Sequence, residues 1–488
     1  MLLILILLVM LPVIGAAAVA GLRARPVRAL STITALVTLA LTIWVVLRVY
    51  PGTFESVFGR MPWLKGLEKV GLFGVLIDPL TSLMLVVITG VGFLVVLYST
   101  AYVSERNREH DLREGQGRYY FWLLLFLGAM VGVAISPNLL QLFIFWELTT
   151  LCSWALISHT QEEKALRAGF KALIVTHVGG LFFLVALFIL FIVTKSFSFN
   201  ALASLGPGLK NLVFLFLLIA AWAKAAQIPF HTWLPEAMEA PSPISAYLHA
   251  AAMVKAGVYL IARVVSSSWA MPPSMGLLTA ILALVTMFMA LTLYFAQDDL
   301  KRLLAFSTIA HLSYVLLGMG MGMMGSELAF RGGVLHIINH GFAKSTLFLS
   351  AGAVVYATGS RSISQLGGLG RRLPVVALAF AVGVLALTGV PPLGCFWSKF
   401  YLLTGALQLA GGVGPAILVL VLLESVISFA WMLRVMQKVF LGEPTETVLA
   451  AQNGGLPAPM TVALIVLIVM CVLAPVVGIP LVAHIPYP

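Results

Sequence analysis

Residues 221–236 read AWAKAAQIPFHTWLPE and follow NLVFLFLLIA at 211–220, an apolar run suited to a bilayer. A lysine at 224 and a proline at 229 do not fit a plain membrane span. An amine at the centre of a membrane helix costs about 2.5 to 3.5 kcal/mol even on the milder insertion scale. Pro229 has no amide hydrogen, and its ring crowds the carbonyl of Ala225, leaving that oxygen without a helical partner. Two violations this close together mark a site.

Of 488 residues, 61% are hydrophobic and 10% charged. That excludes a soluble globular domain and a disordered chain, and leaves an all-α polytopic membrane protein. The net charge of +11 does not point to nucleic acid, because the Lys and Arg residues sit in short loops between apolar runs. Cys152, Cys395 and Cys471 are isolated, with no CxxC spacing, which argues against an iron-sulfur cluster or haem attachment on this chain.

At about 20 apolar residues per span, fourteen spans are expected near 2–21, 29–50, 74–99, 118–135, 138–157, 168–194, 211–229, 243–265, 273–296, 301–322, 329–357, 373–408, 414–440 and 457–482. The first lacks a basic n-region and reads as a retained helix, an uncleaved signal anchor being the alternative. Loops after odd-numbered spans carry LRARPVR, SERNREHDLREGQGR, HTQEEKALR, DDLKR, GSRSISQLGGLGRR and RVMQK. Positive loops stay in the cytoplasm, so both termini are expected on the extracytoplasmic side of a prokaryotic cell membrane. GMGMMG at 320–325 fits GxGxxG by letter, but it follows a membrane helix rather than a strand and is read as no nucleotide site.

The seventh span breaks at QIPFHTWLPE and the twelfth at LTGVPPLGCFWSKF, where Pro391 and Pro392 free the carbonyls of Leu387 and Thr388. An aromatic pair follows each break, Phe230 with Trp233 and Phe396 with Trp397. Five spans separate the two, so the second copy runs opposite to the first, the inverted-repeat pattern of transport proteins. The expected organisation is N-terminal spans over 1–117, a first repeat over 118–265, a second over 273–440 and a C-terminal span within 441–488.

Ionisable groups inside the spans are mostly cationic. Glu147 lies in span five, Lys224 in span seven, His249 and Lys255 in span eight, and Lys399 just past the second break. Span eleven carries His336, His340 and Lys344 at intervals of four, on one helix face and about 12 Å end to end. Blander readings compete at other positions. Lys171 fits a snorkelling residue, His177 a bond to a neighbouring helix, and Asp78, which precedes Pro79, a helix cap as readily as a relay. Glu424 could pair with a neighbouring span or face headgroups, and His311 is a further candidate relay. The HxxxH pair has no third ligand at suitable spacing, so no metal is expected. Burial lowers the proton affinity of an amine and a nearby carboxylate restores it, and imidazoles titrate near neutral pH. Amines and imidazoles therefore suit protons better than sodium, which wants several oxygen ligands.

FWELTTLCSWALISH, PFHTWLPEAMEAPSPISAYLHAAAMVKAGVYLIAR, DDLKRLLAFSTIAHLSY, LHIINHGFAKSTLFLSAGAV and GVPPLGCFWSKF together resemble the antiporter-like subunits of respiratory complex I, of Mrp cation/proton antiporters and of energy-converting membrane hydrogenases. The resemblance covers about residues 74–440. It implies fourteen helices, two inverted five-helix repeats and a midplane row of buried charges. In that row Glu147 pairs with Lys224, Lys255 connects, His336, His340 and Lys344 relay, and Lys399 stands last. It also implies other membrane subunits as partners, antiporter-like paralogues among them, a peripheral redox arm in the complex I and hydrogenase types, and no cofactor on this chain, with iron-sulfur, nickel-iron or flavin centres on partner subunits. The tract WLPEAMEAPSPISAYLHAAAMVKAGVYL looks most like the largest such subunits, which continue into a lateral helix, whereas the length of 488 residues fits smaller paralogues. Two rival readings are a stand-alone solute transporter, with substrate at the breaks, and a purely structural membrane subunit.

Overall fold

A computed structural model describes residues 1–22, 25–59, 71–109, 115–267, 271–451 and 455–487. Parts of the first and third loops and most of the second connection, 60–70, lie outside the described residues. The spans are α1 (Leu2–Ala20), α2 (Arg25–Val49), α3 (Pro79–Tyr102), α4 (Gln116–Ile135), α5 (Leu139–Ile157), α6 (Glu163–Thr194), α7 (Pro207–Lys224), α8 (Ser242–Ser267), α9 (Pro273–Tyr294), α10 (Leu300–Met323), α11 (Glu327–Thr358), α12 (Pro374–Thr388), α13 (Gly394–Ala406), α14 (Val413–Phe440) and α15 (Ala458–Ala483). Twelve are long and apolar enough to cross a membrane. With α11 and the broken pair α12 and α13, they make the fourteen expected passes.

One boundary moves. Residues 74–77, expected at the start of span three, fall in strand β2 (Phe73–Ile77), antiparallel to β1 (Phe54–Phe58) with Phe54 opposite Ile77. The helix begins only at Pro79, where Asp78 caps it by accepting from Thr81 N at 2.8 Å. Proline at the first helical position lacks only an amide that would have no helical partner anyway. GMGMMG closes α10, with Gly325 at φ +102° ending the helix, as its membrane context indicates.

α8, α10 and α11 are wrapped on all sides. α1, α2, α6, α9, α14 and α15 instead turn apolar residues outward, among them Leu47, Phe188, Val285, Val426 and Val476. Polar side chains thus concentrate in the middle of the bundle, where neighbouring helices can satisfy them.

Both breaks end by one device. α7 stops at Lys224. Ala226 then turns left-handed at φ +51°, and Gln227 N reaches back to Trp222 O at 2.9 Å. α12 stops at Thr388, Gly389 takes φ +92°, and Val390 N bonds Leu385 O at 2.9 Å. This is the Schellman ending, in which a left-handed residue lets the chain fold back on the last carbonyls. The helices have therefore already ended before the prolines, which corrects the expectation that Pro229 is what frees Ala225. Glycine adopts the left-handed turn freely, whereas alanine pays about 1 kcal/mol. Gly389→Ala should accordingly lower the unfolding midpoint of the purified protein, and Ala226→Gly should leave it equal or higher.

Outside the spans, charged side chains staple the loop after α11 to the turns after the first break and to the loop between α9 and α10. Arg361 bonds Glu239 at 3.0 Å and Asp299 at 3.2 Å, while Asp298 accepts from Ser362 and Ser364. Burial pushes the Glu239 carboxyl up, but Arg361, Lys301 and Arg302 together outweigh it and the net shift is downward. Burial raises the Asp298 carboxyl too, but the bonds from Ser362 and Ser364 and the charge of Lys438 together bring it down. A lowered carboxylate pKa stabilises the fold above the ordinary carboxylate range, and the contribution is lost as pH falls through the folded pKa. The exchange protection factors of the Leu300 and Ile363 amides, which bond Arg361 O and Asp298 O, should hold steady from pH 8 to 5 and fall only below about pH 4.

Candidate functional site

The two breaks place a buried lysine in matching surroundings. Lys224 Nζ donates to Thr150 Oγ1 at 2.6 Å and Trp146 O at 2.9 Å, and lies 4.9 Å from the Trp146 ring centroid. Lys399 Nζ donates to Ser425 Oγ at 3.1 Å and Thr388 O at 3.1 Å, 4.8 Å from the Tyr314 ring. Each amine thus has a hydroxyl, a carbonyl freed from helical pairing or shared, and an aromatic face that favours its cation. Each hydroxyl residue also lies close in sequence to a membrane carboxylate, Thr150 to Glu147 and Ser425 to Glu424. Tyr314 joins the second set by donating to Glu424 Oε2 and meeting Ser425 Oγ at 2.8 Å. Glu424 is fully buried, so it is neither at a headgroup nor facing lipid. The tryptophans after the breaks differ in their partners: Trp233 Nε1 donates back to Ala223 O in the last turn of α7, whereas Trp397 Nε1 donates to Pro392 O within the break itself.

A row of imidazoles runs from Lys255 of α8 to the residue before Lys399. Lys255 Nζ stands 2.7 Å from His340 Nδ1. The His340 ring lies 5.5 Å from that of His311, and His311 Nδ1 is 3.1 Å from His336 Nε2. His336 Nδ1 then meets Ser398 Oγ at 2.8 Å, one residue before Lys399. All of these side chains are buried. Neutral imidazole carries one donor and one acceptor nitrogen, so it can receive a proton on one side and release it on the other. His311 was read as a secondary candidate, yet it bridges the two histidines of α11.

Other expected members stand elsewhere. Lys344 turns from the row to Leu304 O, at 3.0 Å, and to Ser307 Oγ. His249 lies in a π-helical turn, Tyr247–Ala251, with Trp233 and Phe348 beside its ring and no protein partner among the described residues for either nitrogen. Buried polar atoms of this kind are where internal water bonds, and π turns recur at functional positions. The Glu147 carboxylate does not pair with Lys224 in this conformation. It bonds His177 Nδ1 at 2.7 Å, as the bland reading of His177 anticipated, in space left by Gly180, where a Cβ would lie 2.1 Å from Glu147 Oε1. Lys171 is not merely snorkelling, since its Nζ is 2.5 Å from Glu236 Oε1. Asp78 caps α3 and is engaged in an ion pair. Both its oxygens are held by Arg263, which also bonds Thr81 Oγ1 at 2.7 Å and Tyr259 OH at 2.8 Å.

Sequence reasoning missed Thr150, Ser425, Tyr314, Ser398 and Gln227, because hydroxyls and amides are common in spans and cheap there. Closeness to Glu147, Glu424, Lys399 and Lys224 was the available signal.

Two broken helices, each presenting a buried lysine, with a row of imidazoles reaching the second, define an antiporter-like membrane protein. The chain belongs to that family: residues 136–428 match the NADH:quinone oxidoreductase/Mrp antiporter transmembrane family, and residues 69–119 match the N-terminus of chain 5 of NADH-ubiquinone oxidoreductase, complex I. The chloroplastic NAD(P)H-quinone oxidoreductase subunit 5 of Anthoceros angustus is 39% identical over 360 residues, 69% of this chain and 47% of the relative. That of Populus trichocarpa is 39% identical over 349 residues, covering 67% and 44%. The chain thus spans about half the length of the curated relatives it matches. Among solved structures, the Mrp complex from Dietzia sp. DQ12-45-1b superposes with a TM-score of 0.86 at 30% identity, over 99% of this chain and 51% of that one. The membrane-bound sulfane sulfur reductase, an archaeal respiratory membrane complex, shares the fold with a TM-score of 0.85 at 24% identity, covering 98% and 96%.

Proposed function

We propose that this chain is a proton-translocating, antiporter-like subunit of a multi-subunit membrane assembly of the complex I or membrane-hydrogenase type. The observation that carries the reading is the row Lys255, His340, His311, His336 and Ser398, which ends beside Lys399, together with the matching buried lysine, Lys224, at the other break. Burying this many amines and imidazoles is costly unless they do something in the membrane. On this reading the repeats are 118–265 and 273–440. Lys224 and Lys399 are the switching sites, and moving their carboxylate neighbours changes which site holds the proton. Lys255 and the histidines carry it between them, His249 joins through water, and Lys344 is a side branch whose charge biases the row.

Glu147 and His177 support the multi-subunit part. Their side chains are 25% and 54% exposed on the outer face of α5 and α6, midway along spans where lipid would be a poor neighbour for a charged pair. Another membrane subunit covers them. Redox centres, where the assembly has them, belong to partner chains and a peripheral arm, and both termini lie on the extracytoplasmic side of a prokaryotic membrane, in keeping with the positive loops. An Mrp-type Na+/H+ antiporter is the second reading, favoured by the superposition of 99% of this chain on 51% of a chain of the Mrp complex at 30% identity.

Purification in mild detergent should bring down further membrane chains. Vesicles containing that assembly should lose proton translocation on Lys224→Ala with assembly intact. Unchanged translocation would contradict the role given to Lys224, and a chain that purifies alone and active would contradict the assembly.

A further inference from the structure

Gln227 is fully buried inside the first break. Its Nε2 donates to Ala225 O at 3.0 Å, the carbonyl beside the end of α7, and contacts Ile309 O at 3.3 Å. Its Oε1 accepts from Ser313 Oγ at 2.7 Å. The next residue, Ile228, sends its amide to Thr286 Oγ1 of α9 at 3.4 Å. The break that ends on Lys224 is therefore held by α9 and α10, which belong to the other half of the protein.

Ile309 and Ser313 are one turn apart on one side of α10. His311 lies about 200° around the helix from each, on the side that meets His336 and His340 of α11. Tyr314, on the same helix, faces Lys399 and bonds Glu424. α10 is buried along its whole length, and close-packed interiors move as units rather than deforming locally. A shift of the break at Lys224 is thus passed through Gln227 to a rigid helix that sets both the His311 to His336 contact and the surroundings of Lys399.

Resting on the function proposed above, we infer that Gln227 is a positioning residue that couples the Lys224 site to the imidazole row and the Lys399 site through its bond to Ser313. Neither Gln227 nor Ser313 touches the moving proton in this arrangement.

The test uses the whole assembly in vesicles, with proton translocation measured for Gln227→Leu, Ser313→Ala, Ser313→Thr, the Gln227→Leu/Ser313→Ala double variant and Lys224→Ala. Gln227→Leu and Ser313→Ala should each lower the rate about tenfold, the double variant should be no slower than the slower single one, and Ser313→Thr, which keeps the hydroxyl, should stay within about twofold of the parent. Non-additivity and rescue by threonine are outcomes that general loosening of the bundle would not give. Losses that multiply would overturn the coupling, as would a Ser313→Ala variant at the parent rate beside an inactive Lys224→Ala. If Gln227→Leu fails to assemble, the Ser313 pair decides by itself. A fully active Lys224→Ala would instead overturn the underlying function.

Discussion

Lys399→Ala is expected to reduce proton translocation by about 10²-fold or more, the scale lost when a positioned proton-transfer group is removed, with the assembly intact. The amine is the group of the second repeat that combines burial, a break-end carbonyl, a hydroxyl and an aromatic face. Alanine there removes the group that loads and releases charge beside Glu424 and Tyr314. Its bonds to Thr388 O and Ser425 Oγ are single contacts, and Ser425 Oγ keeps another neighbour, Tyr314 OH at 2.8 Å. Folding should therefore survive. Lys399→Arg keeps a cation but cannot give up its proton, so it should be as inactive as alanine. Size-exclusion profiles alongside dye-monitored pumping separate the two effects; parent-like pumping by the arginine variant would rule out deprotonation of this site.

Arg263→Ala should behave in the opposite way and fail to fold or assemble. Arg263 is 2% exposed, pairs with Asp78, and bonds Thr81 and Tyr259, tying α8 to the start of α3. Removing one partner of a buried ion pair costs about 3–5 kcal/mol, because the other charge is left uncompensated. Arg263→Ala with Asp78→Asn removes both charges and should recover much of that loss. Expression level and thermal midpoint are the readouts; a folded and stable Arg263→Ala single variant would mean that the pair contributes little.

The contrast between these two residues shows what a sequence reveals about a membrane protein. Lys224, Lys255, His340 and Lys399 stood out because a charge in an apolar run is expensive and needs a reason, and their series brought the row with it. The fourteen passes were legible for the same reason, since length and hydropathy leave a span little choice. Asp78 and Arg263 were less legible. Asp78 read equally as cap or relay, and only the packing of α8 against α3 shows it held by Arg263, whose position at the end of GVYLIAR looks like an ordinary span terminus. The break geometry was partly hidden as well. The prolines advertise a break, but Ala226 gives no sign of the left-handed turn that ends α7, and its partner Gly389 sits in a run of turn-forming residues. Glu147 carries a different lesson. A residue series tells which groups share a pathway, but the partner a carboxylate holds in one conformation, here His177 rather than Lys224, depends on rotamers and on space such as that left by Gly180.

The central claim is that protons cross between the two lysine sites through His340, His311 and His336. His311→Phe keeps an aromatic ring of similar size between α10 and α11 while removing both nitrogens from the middle of the row. Proton translocation by the intact assembly in vesicles, with Lys224 and Lys399 untouched, measures the claim directly. The account predicts that translocation falls by about 10²-fold with assembly unchanged. Translocation at the parent rate would contradict it.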